Sequence, residues 1–369
     1  MYRRLLYLNG IAILFVVLYH ATGWGFTAMF WWTDRYLPVS VPNFDQFGGP
    51  NYYALRAIEQ LIIFAIPAFL FVSGFFVAFA SGRNRSTIGW DVVFTRIKNL
   101  LIPFLLWSVL TLGLDMLLGR TFTALEFVET IVLGQSTPAF YFVPVLIQLY
   151  LLSPFLVPLA RTRWKLLLVV AGLIHFSVVG LRYLNLLGLD IPILEPFLVL
   201  TRSWLFPGYL FWFTFGIVTG LHLNSFKPFI QRVKWLMLAA AGILFFVGLY
   251  EWEMLLRGSG QDWISPSETI VDNLYAGALL LAYLGFDQVL LPLAKRMEQL
   301  GARSFGIYLS HSLVLTVVAK AVYHLTPWML QYQIIFIPVL VVLGLGIPLA
   351  LTEIMDRSPA RKYYSYVFG

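Results

Sequence analysis

The chain has 369 residues, of which 60% are hydrophobic and only 12% are charged, and its formal net charge is +7. Soluble domains average about 25% charged residues, so this composition argues against a soluble enzyme, and the high hydrophobicity argues against a disordered chain. Because the sequence contains no cysteine, disulfides, cysteine-ligated zinc and a thiol nucleophile are excluded.

Long apolar segments follow one another along the whole chain. A membrane helix needs about 20 mostly apolar residues, because the hydrocarbon core is about 30 Å thick. Ten segments meet this requirement: 5–25, 58–80, 99–118, 139–160, 164–184, 204–224, 235–255, 269–291, 304–325 and 333–353. The prolines in 139–160 are tolerable where neighbouring groups bond the carbonyls that proline frees. We therefore predict an all-α, polytopic membrane bundle of about ten helices, forming a single domain over residues 1–369.

Basic residues are concentrated on one side of these segments. If the N-terminus is cytoplasmic, 18 of the 25 Lys and Arg residues lie in cytoplasmic segments, and every cytoplasmic loop holds at least three. This bias predicts that both termini of a multi-pass membrane protein are cytoplasmic. The positive net charge is then explained by membrane lipids, and no nucleic-acid partner is predicted.

His20 is the most informative ionisable residue, because it lies inside the first apolar segment. A charged side chain in a span costs about 2.5–3.5 kcal/mol on insertion scales, so each one needs a reason. Imidazole titrates near neutrality and suits a general base, while an interfacial histidine bonded to water or a carbonyl is an equally weighted alternative. Glu59 could orient His20, although a solvated position at the interface is favoured, and Asp272 is also expected to be solvated.

A basic cluster precedes the third apolar segment and consists of Arg83, Arg85, Arg96 and Lys98. Such a cluster can bind a phosphorylated ligand through charge-assisted hydrogen bonds. On the residues alone, contact with anionic lipid is the favoured explanation.

Other polar or small residues lie in apolar surroundings. Ser73 and Gly74 interrupt an apolar run, where small residues let helices approach closely. His311 and Lys320 can line an internal polar cavity. Trp24 and the aromatic loop at about 26–57 suit a sugar face, although an aromatic belt at the interface is commoner. Metal-ligand spacing and a glycine-rich phosphate loop are missing from the sequence, so no metal is predicted.

Five segments, taken in chain order, resemble motifs of the acyltransferase 3 family, which includes bacterial O-antigen and exopolysaccharide acetylases. These segments are Leu8–His20, Phe71–Phe75, Arg96–Ser108, Tyr141–Tyr150 and Gly306–His311. The resemblance covers nearly the whole chain. It implies transfer of an acyl group, often acetyl from acetyl-CoA, to a hydroxyl of a carbohydrate or another envelope acceptor. On this basis His20 is the expected catalytic base and Arg96 an expected donor-side residue.

The predicted site has three groups of residues. The catalytic group is His20, Glu59 and Ser73; the acyl-CoA group is Arg83, Arg85, Arg96 and Lys98; the substrate group is Trp24, Tyr141, Tyr150, Tyr308 and His311. Ser73, Tyr150 and Tyr308 are alternatives for stabilising the oxyanion. We expect the CoA phosphates to stay at the cytoplasmic basic cluster while the pantetheine arm carries the thioester towards His20.

Two other classes of function stay open. The family usually has arginine at the positions of Asn9 and Asn99, which leaves a catalytically inactive relative as one alternative. A transporter or exporter of an envelope precursor is the other, although the paired interrupted helices that indicate alternating access are missing from the sequence. Substrate-dependent release of free CoA would distinguish an acyltransferase from a transporter.

Overall fold

A computed structural model describes residues 2–82, 85–189, 191–264 and 268–369. No strand is found in these ranges, and every predicted apolar segment overlaps at least one helix. The helices are α1 (Tyr2–Phe30), α2 (Pro50–Ile62), α3 (Ala65–Ser81), α4 (Trp90–Leu117), α5 (Ala124–Val132), α6 (Phe142–Thr162), α7 (Trp164–Leu186), α8 (Leu210–Ser259), α9 (Ile270–Gly285), α10 (Ala294–Ala302), α11 (Ser304–Leu325), α12 (Gln333–Arg357) and α13 (Tyr364–Val367).

Eight helical segments of the described chain are long and apolar enough to cross a membrane. The predicted segments 204–224 and 235–255 are joined within α8, and 269–291 corresponds to α9, which has 16 residues. The all-helical membrane architecture is thus confirmed. The number of crossings and the cytoplasmic position of both termini stay predictions.

The long helix α8 bends near its middle. His222 has non-helical dihedral angles, with φ −117° and ψ 20°, and Pro228 lies six residues further along. Because proline has no N–H, it cannot complete the helical hydrogen bond to residue 224. A ring nitrogen of His222 bonds the carbonyl of Ala160 at 2.9 Å, which fixes the bend against α6. The bend separates the two predicted segments that α8 joins.

Hydroxyl side chains accommodate the prolines inside α6. Pro154 frees the carbonyl of Tyr150, which accepts a hydrogen bond from Ser153 Oγ at 2.6 Å. Pro158 in turn frees the carbonyl of Pro154, which accepts from Thr87 Oγ1 at 2.6 Å. Such bonds make proline tolerable in a membrane helix, as the sequence analysis requires.

The chain divides into two compact units. The first unit comprises residues 1–65 and 293–369, and the second unit comprises residues 66–292. In the first unit α1 packs against α2, α10, α11 and α12. In the second unit α8 packs against α6, α7 and α9, and α4 packs against α6.

Glycines allow the closest helix contacts within each unit. In the first unit, a Cβ at Gly10 of α1 would overlap the carbonyl oxygen of Met297 in α10. In the second unit, a Cβ at Gly74 of α3 would overlap the carbonyl oxygen of Phe213 in α8. The interpretation of the Ser73–Gly74 pair as a point of close helix approach is therefore confirmed for Gly74.

Candidate active site

His20 lies on α1 in the first unit, on a side of the helix that is only half-buried. Neither of its ring nitrogens has a hydrogen-bond partner among the described residues. Its ring packs edge-on against that of Tyr19, with centroids 5.5 Å apart. The imidazole therefore keeps its capacity to accept or donate a proton within a largely apolar helix.

The ring of His311 on α11 packs beside that of His20. The two ring centroids are 5.2 Å apart, with the planes inclined by 44°. His311 is fully buried, and its Nδ1 lies 2.6 Å from the carbonyl oxygen of Tyr308 and 3.2 Å from that of Ile307. Since carbonyls only accept, Nδ1 carries the proton and Nε2 keeps a lone pair. Ser312 Oγ lies 3.3 Å from that Nε2 and can donate to it.

The structure thus brings together three of the predicted site residues, His20, Tyr308 and His311. Tyr308 is buried, and its ring centroid lies 6.0 Å from that of His311. We call His20 and His311 the histidine pair. No group of three or more potential metal-ligating side chains is found among the residues described.

Glu59 is buried, so the prediction of a solvated position is wrong. Its side chain is 3% exposed and forms an ion pair with Arg56, one turn earlier on α2. Taking a carboxylate out of water is expensive unless an opposite charge and hydrogen bonds compensate it, and Arg56 supplies both. This pairing explains how Glu59 can lie inside the first unit.

Trp24 lies on α1, one turn after His20, and belongs to a group of aromatic side chains near the C-terminal end of that helix. Its ring centroid lies 5.2 Å from that of Trp32, which in turn lies 4.8 Å from that of Tyr323 in α11. The guanidinium of Arg35 covers the Tyr323 ring at 4.6 Å and bonds its carbonyl oxygen. We call Trp24, Trp32, Tyr323 and Arg35 the aromatic group. The contact of Tyr323 with Trp32 could not be predicted from the sequence, because Tyr323 belongs to a helix far away in the chain.

In the second unit, the structure brings Arg96 and Tyr150 together. Arg96 is half-buried on α4 and donates from Nη2 to the carbonyl of Phe76 at 3.0 Å. Its guanidinium carbon lies 5.5 Å from the centroid of the Tyr150 ring. A guanidinium has five N–H donors, so this anchored group retains donors for an anion.

Arg161 at the end of α6 is a second anchored cation, which is not among the predicted site residues. Its Nη2 donates to Ser81 Oγ at 3.0 Å and to the carbonyl of Gly82. These groups lie at the C-terminal end of α3, where the helix dipole favours a cation. A basic residue after an apolar segment is visible in the sequence, but its partner is not.

The other predicted donor residues do not share the environment of Arg96. Lys98 is exposed, and because it lies two residues later it is rotated by about 200° around α4. Arg85 is exposed in the loop before α4. Arg83 lies outside the described residues. The predicted cluster therefore does not form one face, and only Arg96 of its described members is half-buried.

Tyr141 and Tyr150, both predicted to bind substrate, belong to different surroundings, since they are nine residues apart and about 13 Å separates them along α6. The ring centroid of Tyr141 lies 5.9 Å from that of Tyr209, over which the Arg182 guanidinium lies at 5.8 Å. Arg182 also approaches Glu268 at 3.6 Å. Burial raises the pKa of the Glu268 carboxyl, although Arg182 acts in the opposite direction.

Ser73 is half-buried on α3, in the second unit, next to the glycine that allows α8 to approach. Gln148, within the fourth resembling segment, has a structural role. It donates to the carbonyl of Trp204 at 2.7 Å and accepts from the amide of Phe206 at 3.3 Å. These bonds hold the chain before α8 against α6.

His175 belongs to a buried hydrogen-bonded group whose members lie on three different helices. One of its ring nitrogens lies 2.7 Å from Asn273 Oδ1, which also accepts from Trp212 at 2.9 Å. Asp272 is 6% exposed, not solvated as expected, because it forms a reciprocal cap with Thr269 at the start of α9. These residues hold α7, α8 and α9 together.

Comparison with known proteins identifies similar chains. A family model described as an acyltransferase domain, acyltransferase 3, matches residues 4–353. Three similar proteins, from Staphylococcus aureus strains MRSA252, MSSA476 and Mu50, are each named "Probable poly-beta-1,6-N-acetyl-D-glucosamine export protein". Each is 23% identical over 70% of this chain and 71% of its own length. No solved structure matches the chain significantly.

Proposed function

Because this chain belongs to the acyltransferase 3 family, we propose that it transfers an acyl group from acyl-CoA to a hydroxyl of an envelope carbohydrate, with His20 as general base. This proposal rests on the surroundings of the His20 ring and on its unpartnered nitrogens. The ring lies in an apolar helix beside His311, and its nitrogens have no hydrogen-bond partner among the described residues. A ring in that state can take a proton from a bound hydroxyl.

The reaction needs one proton acceptor and one oxyanion donor. His20 takes the proton of the acceptor hydroxyl as its oxygen attacks the thioester carbonyl carbon. The new C–O bond forms, the C–S bond breaks, and the CoA thiolate leaves with the proton that His20 held. Tyr308 shares the first unit with the histidine pair, and we propose its hydroxyl as the donor to the oxyanion. Glu59 is given a structural role, because its charge is compensated by Arg56 in a buried ion pair.

The donor is proposed to be acetyl-CoA, with its phosphates near Arg96. The guanidinium of Arg96 is anchored by the Phe76 carbonyl and the Tyr150 ring, and it retains N–H donors. Paired N–H donors suit the geometry of a phosphate. Arg161 adds a second anchored positive charge in the same unit.

The acceptor is proposed to be a polymer of N-acetylglucosamine in the envelope of a bacterium, at its plasma membrane. The names of the similar Staphylococcus aureus proteins include this polymer, poly-beta-1,6-N-acetyl-D-glucosamine. A polymer with a free hydroxyl on every sugar offers the nucleophile that the histidine pair requires.

The proposal is tested by acceptor-dependent release of CoA from acetyl-CoA by the purified protein. His20→Ala should lower this rate by at least about 100-fold, since general bases typically contribute that much. The thermal midpoint and the affinity for CoA should not change. His324→Ala, which alters an exposed histidine of α11, is the matched control and should keep the wild-type rate. A folded His20→Ala protein with the wild-type rate would remove His20 from the mechanism.

Export of the polymer is the second candidate, favoured by the word "export" in the relatives' names. An exporter would move the polymer into vesicles that contain the protein without releasing CoA. A catalytically inactive relative, for which the asparagines at positions 9 and 99 argue, would bind donor and acceptor with no turnover and no transport. Vesicles that contain the protein therefore distinguish the acyltransferase, the exporter and the inactive relative, when CoA release, polymer transport and binding are all measured on them.

A further inference from the structure

A partly open cavity of about 180 Å³ lies in the second unit, at the C-terminal end of α7. It is lined by residues of α7 and of a short 3₁₀ helix that packs against α7, among them Leu184, Asn185, Leu194, Glu195 and Leu198. An engineered cavity of about 150 Å³ accommodates benzene. The cavity at α7 can therefore hold one part of a larger molecule, but neither CoA nor a sugar polymer fits inside it.

The 3₁₀ helix, Pro192–Thr201, has apolar side chains on the side of the cavity and on the opposite side. Leu194 and Leu198 line the cavity and are half-buried. Ile193 and Phe197 do not line it, and they are 78% and 51% exposed. This helix follows α7, which is long and apolar enough to cross a membrane. Contact with lipid therefore explains why apolar side chains are exposed on the 3₁₀ helix.

Two polar side chains line the same cavity, between its leucines. The carboxylate of Glu195 and the amide of Asn185 are exposed, and neither has a hydrogen-bond or ion-pair partner in the described part of the chain. The carboxylate adds a negative charge to a largely apolar wall. The amide adds two N–H donors and one acceptor. Both groups are thus available to a ligand that enters between the leucines.

A phospholipid whose headgroup ends in an ammonium matches this lining. The Glu195 carboxylate attracts an ammonium and repels a headgroup of net negative charge. The Asn185 amide can donate to phosphate or ester oxygens, and the leucines can pack against the start of a hydrocarbon chain. The end of a membrane span is also the level at which headgroups lie.

We propose that the cavity binds the headgroup region of a zwitterionic, ammonium-bearing phospholipid, with Glu195 at the ammonium and Asn185 at the phosphate or ester oxygens. This lipid site does not depend on the proposed acyl transfer, because none of its lining residues has a role in that reaction. A glutamate that meets only water, beside leucines that any lipid covers, is the competing explanation.

Calorimetry on the full chain in detergent, with short-chain phosphatidylethanolamine and phosphatidylglycerol, tests the headgroup preference. The ethanolamine lipid should bind at least about tenfold more tightly, which corresponds to about 1.4 kcal/mol. Glu195→Gln removes the charge at nearly constant size, and it should reduce this preference to less than about twofold. Glu129→Gln, which changes an exposed carboxylate on the short helix α5, is the matched control and should keep the preference.

A second pair of variants tests the cavity itself. Leu194→Trp fills it and should lower the affinity for phosphatidylethanolamine by at least about tenfold. Ile193→Trp changes the neighbouring side chain, which does not line the cavity, and should leave that affinity unchanged. Equal affinity for the two lipids, a preference that persists in Glu195→Gln, or binding that a folded Leu194→Trp protein retains would overturn the site. Glu195→Gln alters an exposed side chain, so the test stays valid if Leu194→Trp fails to fold.

Discussion

His20 of the first unit and the arginines of the second unit are held in opposite ways. His20 has no hydrogen-bond partner in the described part of the chain, whereas Arg96 and Arg161 are bonded to carbonyl groups. A proton acceptor must keep a lone pair available, but a cation that binds phosphate works best as a fixed charge. The difference teaches that the hydrogen-bonding capacity of a side chain is kept free where a proton must move, whereas part of it anchors the side chain where a charge must be positioned.

The largest effect on stability is expected in the second unit, where buried polar groups hold helices together. Asn273→Ala removes the acceptor shared by His175 and Trp212, and an unpaired buried group costs about 1–3 kcal/mol. We expect the free energy of unfolding to fall by about 2–4 kcal/mol, seen as a lower thermal midpoint in detergent.

Asn99→Ala is the matched control for that change, because Asn99 is exposed on α4. It should leave the thermal midpoint unchanged, as should His20→Ala. Equal midpoints for Asn273→Ala and Asn99→Ala would contradict a structural role for the buried group and weaken the contrast between the two units.

A smaller effect is expected on donor binding. Arg96→Gln should raise the Kd of CoA by at least about tenfold, because a charge-assisted hydrogen bond contributes about 1.5–3 kcal/mol. Lys98→Gln changes a cation only two residues away that faces elsewhere on α4, and it should change the Kd by less than about twofold. Calorimetry with CoA measures both. Identical effects of the two variants would indicate a general attraction to the positive surface, and Arg96 would lose its special role.

Most of the helical architecture could be predicted from the sequence, because membrane helices are recognisable from the length of an apolar run. The helix over 139–160 was predicted correctly despite its prolines, since nearby hydroxyl groups bond the carbonyls that Pro154 and Pro158 free. The joining of two predicted segments in α8 could not be predicted, because it depends on how His222 is held by Ala160 of another helix.

Site residues could be predicted only where their own neighbours in the sequence indicate their role. His20 and Arg96 were selected from their own surroundings and the family resemblance. The burial of Glu59 could have been inferred, since Arg56 lies three residues earlier on the same helix. The divergence of Lys98 from Arg96 also follows from helical periodicity.

Contacts between distant segments were beyond prediction from the sequence. Tyr323 meets Trp32, and Arg161 meets Ser81, from positions far apart in the chain. No local pattern marks such a pair, because only the packing of the helices brings its members together.

The proton-accepting role of His20 is tested most directly by chemical rescue. Acceptor-dependent CoA release by His20→Ala is measured without and with added imidazole, at a pH where imidazole is largely neutral. We predict a rate at least about 100-fold below wild type that rises with the imidazole concentration. A wild-type rate without imidazole, or a loss that imidazole does not restore although donor and acceptor bind normally, would contradict it.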